Sequence, residues 1–274
     1  MYKYIMRKVL LSTLFLCSYG FLNSNPTRII KKKYDEKEIS VYESRNIANE
    51  QSPAILYFTG LNSLIPPFIY SDFLKQLNVY NFTTYSATNN LYTNEEIIDD
   101  ILDVHPNLTI VAHSSGCITA AKTIDKNTNV KNIIFLDPVD NSFLSENKKK
   151  PNLNHVKKIM VVTAKKSYDW EWGENGFKIP FIPAFKMSSD SIKIKNPEIT
   201  VLNAEDYGHT DILDKPWSEY MHNSLSKGTE NRSNRNLKKY RNWLAENIAS
   251  FIYGSKNDTI NELPIFKPIE KYEW

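Results

Sequence analysis

Short apolar runs alternate along the chain with stretches in which apolar residues recur every three or four positions. The runs Ile39–Tyr42, Ala54–Thr59, Val79–Tyr85, Leu108–Ala112, Asn132–Leu136, Lys158–Thr163 and Ile199–Leu202 read as strands. Ile133-Ile134-Phe135-Leu136 and Ile159-Met160-Val161-Val162 are apolar throughout, as strands covered on both faces by helices must be. Between the runs, Tyr70–Leu77, Asn94–Val104 and Gly116–Lys126 read as helices, with Asn94 as an N-cap and Glu95 and Glu96 in the first turn. Over Arg235–Tyr253, residues Leu237, Tyr240, Leu244, Ile248 and Phe251 form one apolar stripe, stopped by Gly254. The alternation predicts an α/β protein with a mostly parallel central sheet flanked by helices.

Two stretches interrupt the pattern. Lys165–Pro197 mixes Trp170, Trp172, Phe177, Phe181 and Phe185 with three prolines and reads as an aromatic-rich insertion, a candidate lid. Lys215–Asn234 is polar. At the start, Val9–Leu22 is mostly apolar behind Lys3, Arg7 and Lys8, which matches a secretory signal peptide over residues 1–22 and is short for a membrane span. An uncleaved signal anchor is the alternative. The expected organisation is therefore a leader over 1–22 and a single domain over 23–274 with an insertion at 165–197. The leader directs the protein to the secretory pathway or leaves it membrane-anchored. Of the sequons at Asn81, Asn107, Asn231 and Asn257, Asn231 lies in the polar stretch and is the expected glycosylation site.

Composition narrows the chemistry. The 274 residues carry 34 Lys and Arg against 31 Asp and Glu, and the leader's three cations account for the whole net charge of +3. A neutral body makes nucleic acid an unfavourable partner. Two cysteines exclude a disulfide scaffold and a cysteine-based zinc site, and no metal or organic cofactor is expected.

The most informative segment is Val111-Ala112-His113-Ser114-Ser115-Gly116, which leaves a buried strand and opens a helix. A nucleophile elbow needs that context, with small residues two before and two after the serine, and Ala112 and Gly116 meet the demand. The turn lifts the Ser114 hydroxyl above the sheet and aims the Ser115 N–H at a developing oxyanion. The serine needs a base. His209 follows the last strand inside Asp206-Tyr207-Gly208-His209-Thr210-Asp211. Serine, acid, histidine is the chain order of triads on such sheets. Asp137 ends the strand at Leu136 and is the expected acid. Asp169, after the next strand, is the alternative, and Asp140 and Asp206 are weaker candidates. The second oxyanion donor is expected in Thr59-Gly60-Leu61-Asn62-Ser63, from the Leu61 N–H. Gly60, Asn62, His113, Trp170 and Trp172 are the candidate substrate-binding residues.

These motifs, together with Leu136-Asp137-Pro138-Val139-Asp140 and the extension Ile212-Leu213-Asp214, resemble the chlorophyllases over roughly residues 50–215. The resemblance implies an α/β-hydrolase fold with Ser114 as nucleophile, Asp137 as acid and His209 as base, cleaving the phytyl ester of chlorophyll or a related lipophilic ester. The family elbow typically reads Gly-His-Ser-Arg-Gly-Gly, and here Ala112, Ser115 and Cys117 stand at three of those places. The residues thus predict a serine esterase acting on a small lipophilic ester through an acyl-enzyme, with contact to a membrane surface for substrate access. A lipase, lysophospholipase or acyltransferase would use the same triad. A silent hydrolase fold serving as a lipid-binding module is the alternative of another class.

Overall fold

In the central strands, successive side chains enter two different hydrophobic layers. Leu56, Phe58, Ile110, Ala112, Ile133, Phe135, Ile159 and Val161 belong to one core cluster. Their neighbours Ile55, Tyr57, Val111, Ile134, Met160 and Val162 belong to the other. This is the period-2 alternation of strands buried on both faces. The computed structural model describes residues 27–34, 37–44, 53–87, 95–125, 127–140, 149–164, 187, 191–219 and 236–254. The expected leader, Trp170, Trp172 and Asp169, Asn94, Asn231 and Asn257, and nearly all of the aromatic insertion lie outside these residues.

The strands are β1 (Thr27–Tyr34), β2 (Lys37–Ser44), β3 (Ala54–Phe58), β4 (Thr83–Ala87), β5 (Leu108–His113), β6 (Asn132–Leu136), β7 (Lys158–Ala164) and β8 (Glu198–Ala204). They form one sheet in the order β1-β2-β4-β3-β5-β6-β7-β8. The six strands from β4 to β8 in that order are parallel. β2 runs antiparallel to β4, and β1 to β2. The helices are α1 (Ser71–Val79), α2 (Glu95–Val104), α3 (Gly116–Ile124) and α4 (Leu237–Tyr253). Ile98 and Ile101 of α2 and Cys117, Ile118, Ala121 and Ile124 of α3 cover one face. Phe73, Leu74 and Leu77 of α1 and Tyr240, Trp243, Leu244 and Ile248 of α4 cover the other.

Two expectations need correction. β4 begins at Thr83 and not at Val79, because Val79 ends α1 and Asn81 takes the left-handed φ of 64° that turns the chain into the strand. β1 is not expected from the sequence: its Lys31-Lys32-Lys33 run carries no alternation, and it is a strand through its hairpin with β2, which closes at Tyr34 opposite Lys37. At the other end, α4 is capped by the Asn236 side chain, which accepts from the Lys239 N–H at 2.9 Å, and closes on Gly254 at φ 66°.

Candidate active site

Three turns at the carboxyl edge of the sheet build the site, and each of them places a non-glycine residue in the left-handed region. Ser114 follows β5 at φ 57°. Its backbone is held from both sides: its N–H donates to the Leu136 carbonyl at 3.0 Å, and its carbonyl accepts from Cys117 at 3.0 Å and Val139 at 3.1 Å. Gly116 makes the turn sterically feasible, because a Cβ there would lie 2.3 Å from the Thr59 carbonyl oxygen. Asp137 follows β6 at φ 43°, its N–H donating to the Val162 carbonyl at 2.6 Å. Its carboxylate accepts from the Ala164 N–H at 3.0 Å through Oδ1. Oδ2 faces His209 Nδ1 at 2.5 Å, and His209 Nε2 faces Ser114 Oγ at 2.8 Å. Nδ1–H therefore donates to the carboxylate, which leaves Nε2 with the lone pair that accepts from the serine hydroxyl. All three side chains are buried.

The loop carrying His209 is braced by its own acids. The Gly208 N–H donates to Asp211 Oδ2 at 2.8 Å, and Ser218 donates to the other oxygen of the same carboxylate at 3.4 Å. Arg241 of α4 reaches the same loop: Nε donates to the Ile212 carbonyl at 3.3 Å, and Nη2 donates to that of Leu213. Its Nη1 pairs with Asp72 of α1 at 3.1 Å. Asp214 closes the loop by accepting from the Asp72 N–H at 2.9 Å.

The third turn is the helical turn Gly60–Ser63 after β3, where Leu61, Asn62 and Ser63 have φ of 51°, 54° and 65°. Three consecutive left-handed residues without glycine are strained, and such strain persists only where surrounding contacts over-determine it. Here the Asn62 N–H donates to Ser115 Oγ at 3.0 Å, Ser63 N–H to the Thr59 carbonyl at 3.1 Å, and Gly60 N–H to Tyr70 Oη at 3.0 Å. Among the described residues, no hydrogen bond engages the N–H of Leu61 or of Ser115. A Cβ on Gly60 would come within 3.3 Å of Ser114 Cβ, which shows how closely this turn approaches the serine. Ser115, which stands where the resembled family has arginine, is thus a brace for the turn.

His113 is not where a substrate contact would be. It is 3% exposed, and both ring nitrogens are engaged, Nδ1 with Tyr70 Oη at 2.9 Å and Nε2 with the His209 carbonyl at 3.0 Å. Burial, reinforced by the neighbouring His209, lowers its pKa to about 3. Cys117 is likewise inert: burial raises its thiol pKa well above the ordinary value, and Sγ–H donates to the Ala112 carbonyl at 3.2 Å. Tyr70 is the residue at the site that the sequence did not single out. Ten positions separate it from Gly60 with no local motif.

No protein-family model matches the chain, and no curated protein matches it. Solved structures do. The sheet order, the helices on both faces and the edge position of the three turns define the α/β-hydrolase fold, and the structural neighbours are esterases and carboxylesterases of that fold. The esterase of Pyrobaculum calidifontis is 13% identical with a TM-score of 0.53, the match covering 92% of this chain and 93% of that one. EstE1, a thermostable carboxylesterase cloned from a metagenomic library, is 12% identical with a TM-score of 0.51 over 91% and 97% of the two chains. EstE5, in a crystal soaked with p-nitrophenyl butyrate, is 10% identical with a TM-score of 0.53 over 91% of each.

Proposed function

We propose that the chain is a serine hydrolase of carboxylic esters working through an acyl-enzyme. One observation carries this reading: Ser114, His209 and Asp137 are hydrogen-bonded in series, at 2.8 and 2.5 Å, with the serine in a left-handed turn between strand and helix. In the first step Ser114 Oγ attacks the ester carbonyl carbon while its proton passes to His209 Nε2. Asp137 accepts the Nδ1–H throughout, fixing the tautomer and stabilising the imidazolium. The new oxyanion sits between the N–H groups of Leu61 and Ser115, whose freedom from other partners suits them to it. Collapse breaks the ester C–O bond, and the alcohol leaves with the proton from Nε2. Water then repeats the sequence on the acyl-enzyme and returns free Ser114.

The finer reading rests on the motifs. The segments around Ser114, Asp137 and His209 that resemble the chlorophyllases favour a lipophilic ester, the phytyl ester of chlorophyll included. Leu61, Leu64 and Phe68 expose apolar surface on and beside the oxyanion turn, which suits substrate reached at a membrane surface, and the apolar leader suits the secretory route. Reaction with a fluorophosphonate probe followed by peptide mapping tests the proposal. It predicts covalent label on Ser114 that is lost in His209→Ala, and hydrolysis within a series running from p-nitrophenyl butyrate to chlorophyll. Product formed with an added alcohol in preference to water would identify an acyltransferase. Folded protein that takes no label and turns over no ester would overturn the hydrolase reading, and lipid-binding assays would then test the silent alternative.

A further inference from the structure

The hydrogen bonds around His113 have one consistent direction. The His209 carbonyl can only accept, so His113 Nε2 carries the proton and Nδ1 is a bare acceptor in the neutral ring. Tyr70 must then donate its hydroxyl proton to Nδ1, which leaves the same oxygen to accept from the Gly60 N–H. The result is a continuous chain from the Gly60 N–H through the Tyr70 hydroxyl and the His113 ring to the His209 carbonyl. One end is the residue before Leu61, and the other is the main chain of the base itself. Every link is buried. The rings stack in support, with Tyr70 edge-on to His113 at 5.6 Å and His113 tilted against His209 at 4.7 Å between centroids. The strained turn at Leu61–Ser63 gives such a device something to hold.

We propose that Tyr70 and His113 are positioning residues that lock the oxyanion turn to the loop of the base, so that the Leu61 N–H and His209 Nε2 are registered about Ser114 by one buried relay. The inference rests on the hydrolase reading and deepens it. Neither residue reaches the reacting atoms. Their effect is geometric, and misplacement of catalytic groups by about 1 Å costs on the order of a hundredfold in rate.

The test measures p-nitrophenyl butyrate hydrolysis by wild type, Tyr70→Phe, His113→Leu, His113→Gln and the double variant Tyr70→Phe/His113→Leu. Breaking the relay at either link is expected to lower kcat roughly 10–100-fold with KM changed by less than about threefold. The double variant should be no worse than the singles, since a chain already cut cannot be cut again. His113→Gln, whose amide can both accept from Tyr70 and donate to the His209 carbonyl, should recover most of kcat. Additive losses, a change confined to KM, or unaltered kcat in folded Tyr70→Phe overturns the relay. Nitrogen NMR of wild type needs no variant to fold: His113 must be the neutral Nε2–H tautomer from pH 5 to 8, and the opposite tautomer overturns the relay outright. Wild type that neither hydrolyses the ester nor takes the fluorophosphonate label overturns the hydrolase reading, and the relay's catalytic role with it. An active wild type with an indifferent Tyr70→Phe overturns the relay alone.

Discussion

Two groups, His113 buried and Asp214 half-buried, should pull the stability of this protein in opposite directions across the same acidic range. His113, facing Tyr70, His209 and Asp137, has its pKa lowered from 6.5 to about 3, chiefly by burial. The unfolded chain therefore binds a proton between pH 3 and 6.5 that the folded chain refuses, so stability rises with pH in that window. Asp214 has its pKa raised from 3.8 to about 7, chiefly by burial; the N–H of Asp72 and the charges of Arg241 and Lys75 only partly offset this. There the folded chain holds the proton that the unfolded chain has lost, and stability falls as pH rises from about 4 to 7. At about 1.4 kcal/mol per pH unit, each group contributes about 2 kcal/mol between pH 4 and pH 6, with opposite signs. Urea unfolding of wild type, His113→Gln and Asp214→Asn at several pH values isolates the two, because the remaining carboxylates cancel in the differences. Relative to wild type, His113→Gln should gain stability as pH falls from 6 to 4, and Asp214→Asn should gain it as pH rises over the same interval. Parallel curves for all three proteins would refute the assignment of uncharged states to these groups.

Other substitutions probe the frame and the site. Gly116→Ala should destabilise the fold by about 1–3 kcal/mol or more, since its Cβ would meet the Thr59 and Phe58 carbonyl oxygens at 2.3 and 3.0 Å, and thermal unfolding would show it. Asp137→Asn should lower kcat by about 10³–10⁴-fold at neutral pH with the fold intact by circular dichroism, because the amide no longer enforces the tautomer that leaves Nε2 bare. Arg241→Met should cost about 2–4 kcal/mol in chemical unfolding, mostly from the buried carbonyls of Ile212 and Leu213 left without a donor. The ion pair with the half-exposed Asp72 adds little to that loss.

The fold was legible wherever one element's own pattern is decisive. β5, β6 and β7 are apolar runs that only a doubly covered sheet accommodates, and α4 shows its apolar stripe and its stop at Gly254 in the sequence. β1 was not legible, because a lysine-rich edge strand owes its conformation to its partner. The positions of Ser114, Asp137 and His209 could be read ahead because each stands just beyond a strand, next to residues that only a tight turn demands. What surrounds them could not. Tyr70 comes to His113 across 43 residues, and Arg241 to Leu213 across 28, through contacts that exist only once α1 and α4 have docked. His113 shows the limit from the other side: its place beside the serine suggested a substrate contact, whereas its two buried partners give it a supporting role.

The grip of Arg241 on the loop of the base also has a bearing on biosynthesis. Ser114 and Asp137 lie on strands whose central partners, β3, β5, β6 and β7, are all complete by Ala164, so their turns can form early on a ribosome-bound chain. The His209 loop has its own brace through Asp211 and its bond to His113, but its far end gains the donors for Ile212 and Leu213 only when α4 has emerged and turned back to lay its arginine beside them. A nascent polypeptide stalled before that point would carry Ser114 and Asp137 on a formed sheet with the carbonyls of Ile212 and Leu213 still lacking their donor. The end of the loop that carries His209 would be completed last, after the sheet around Ser114 has closed.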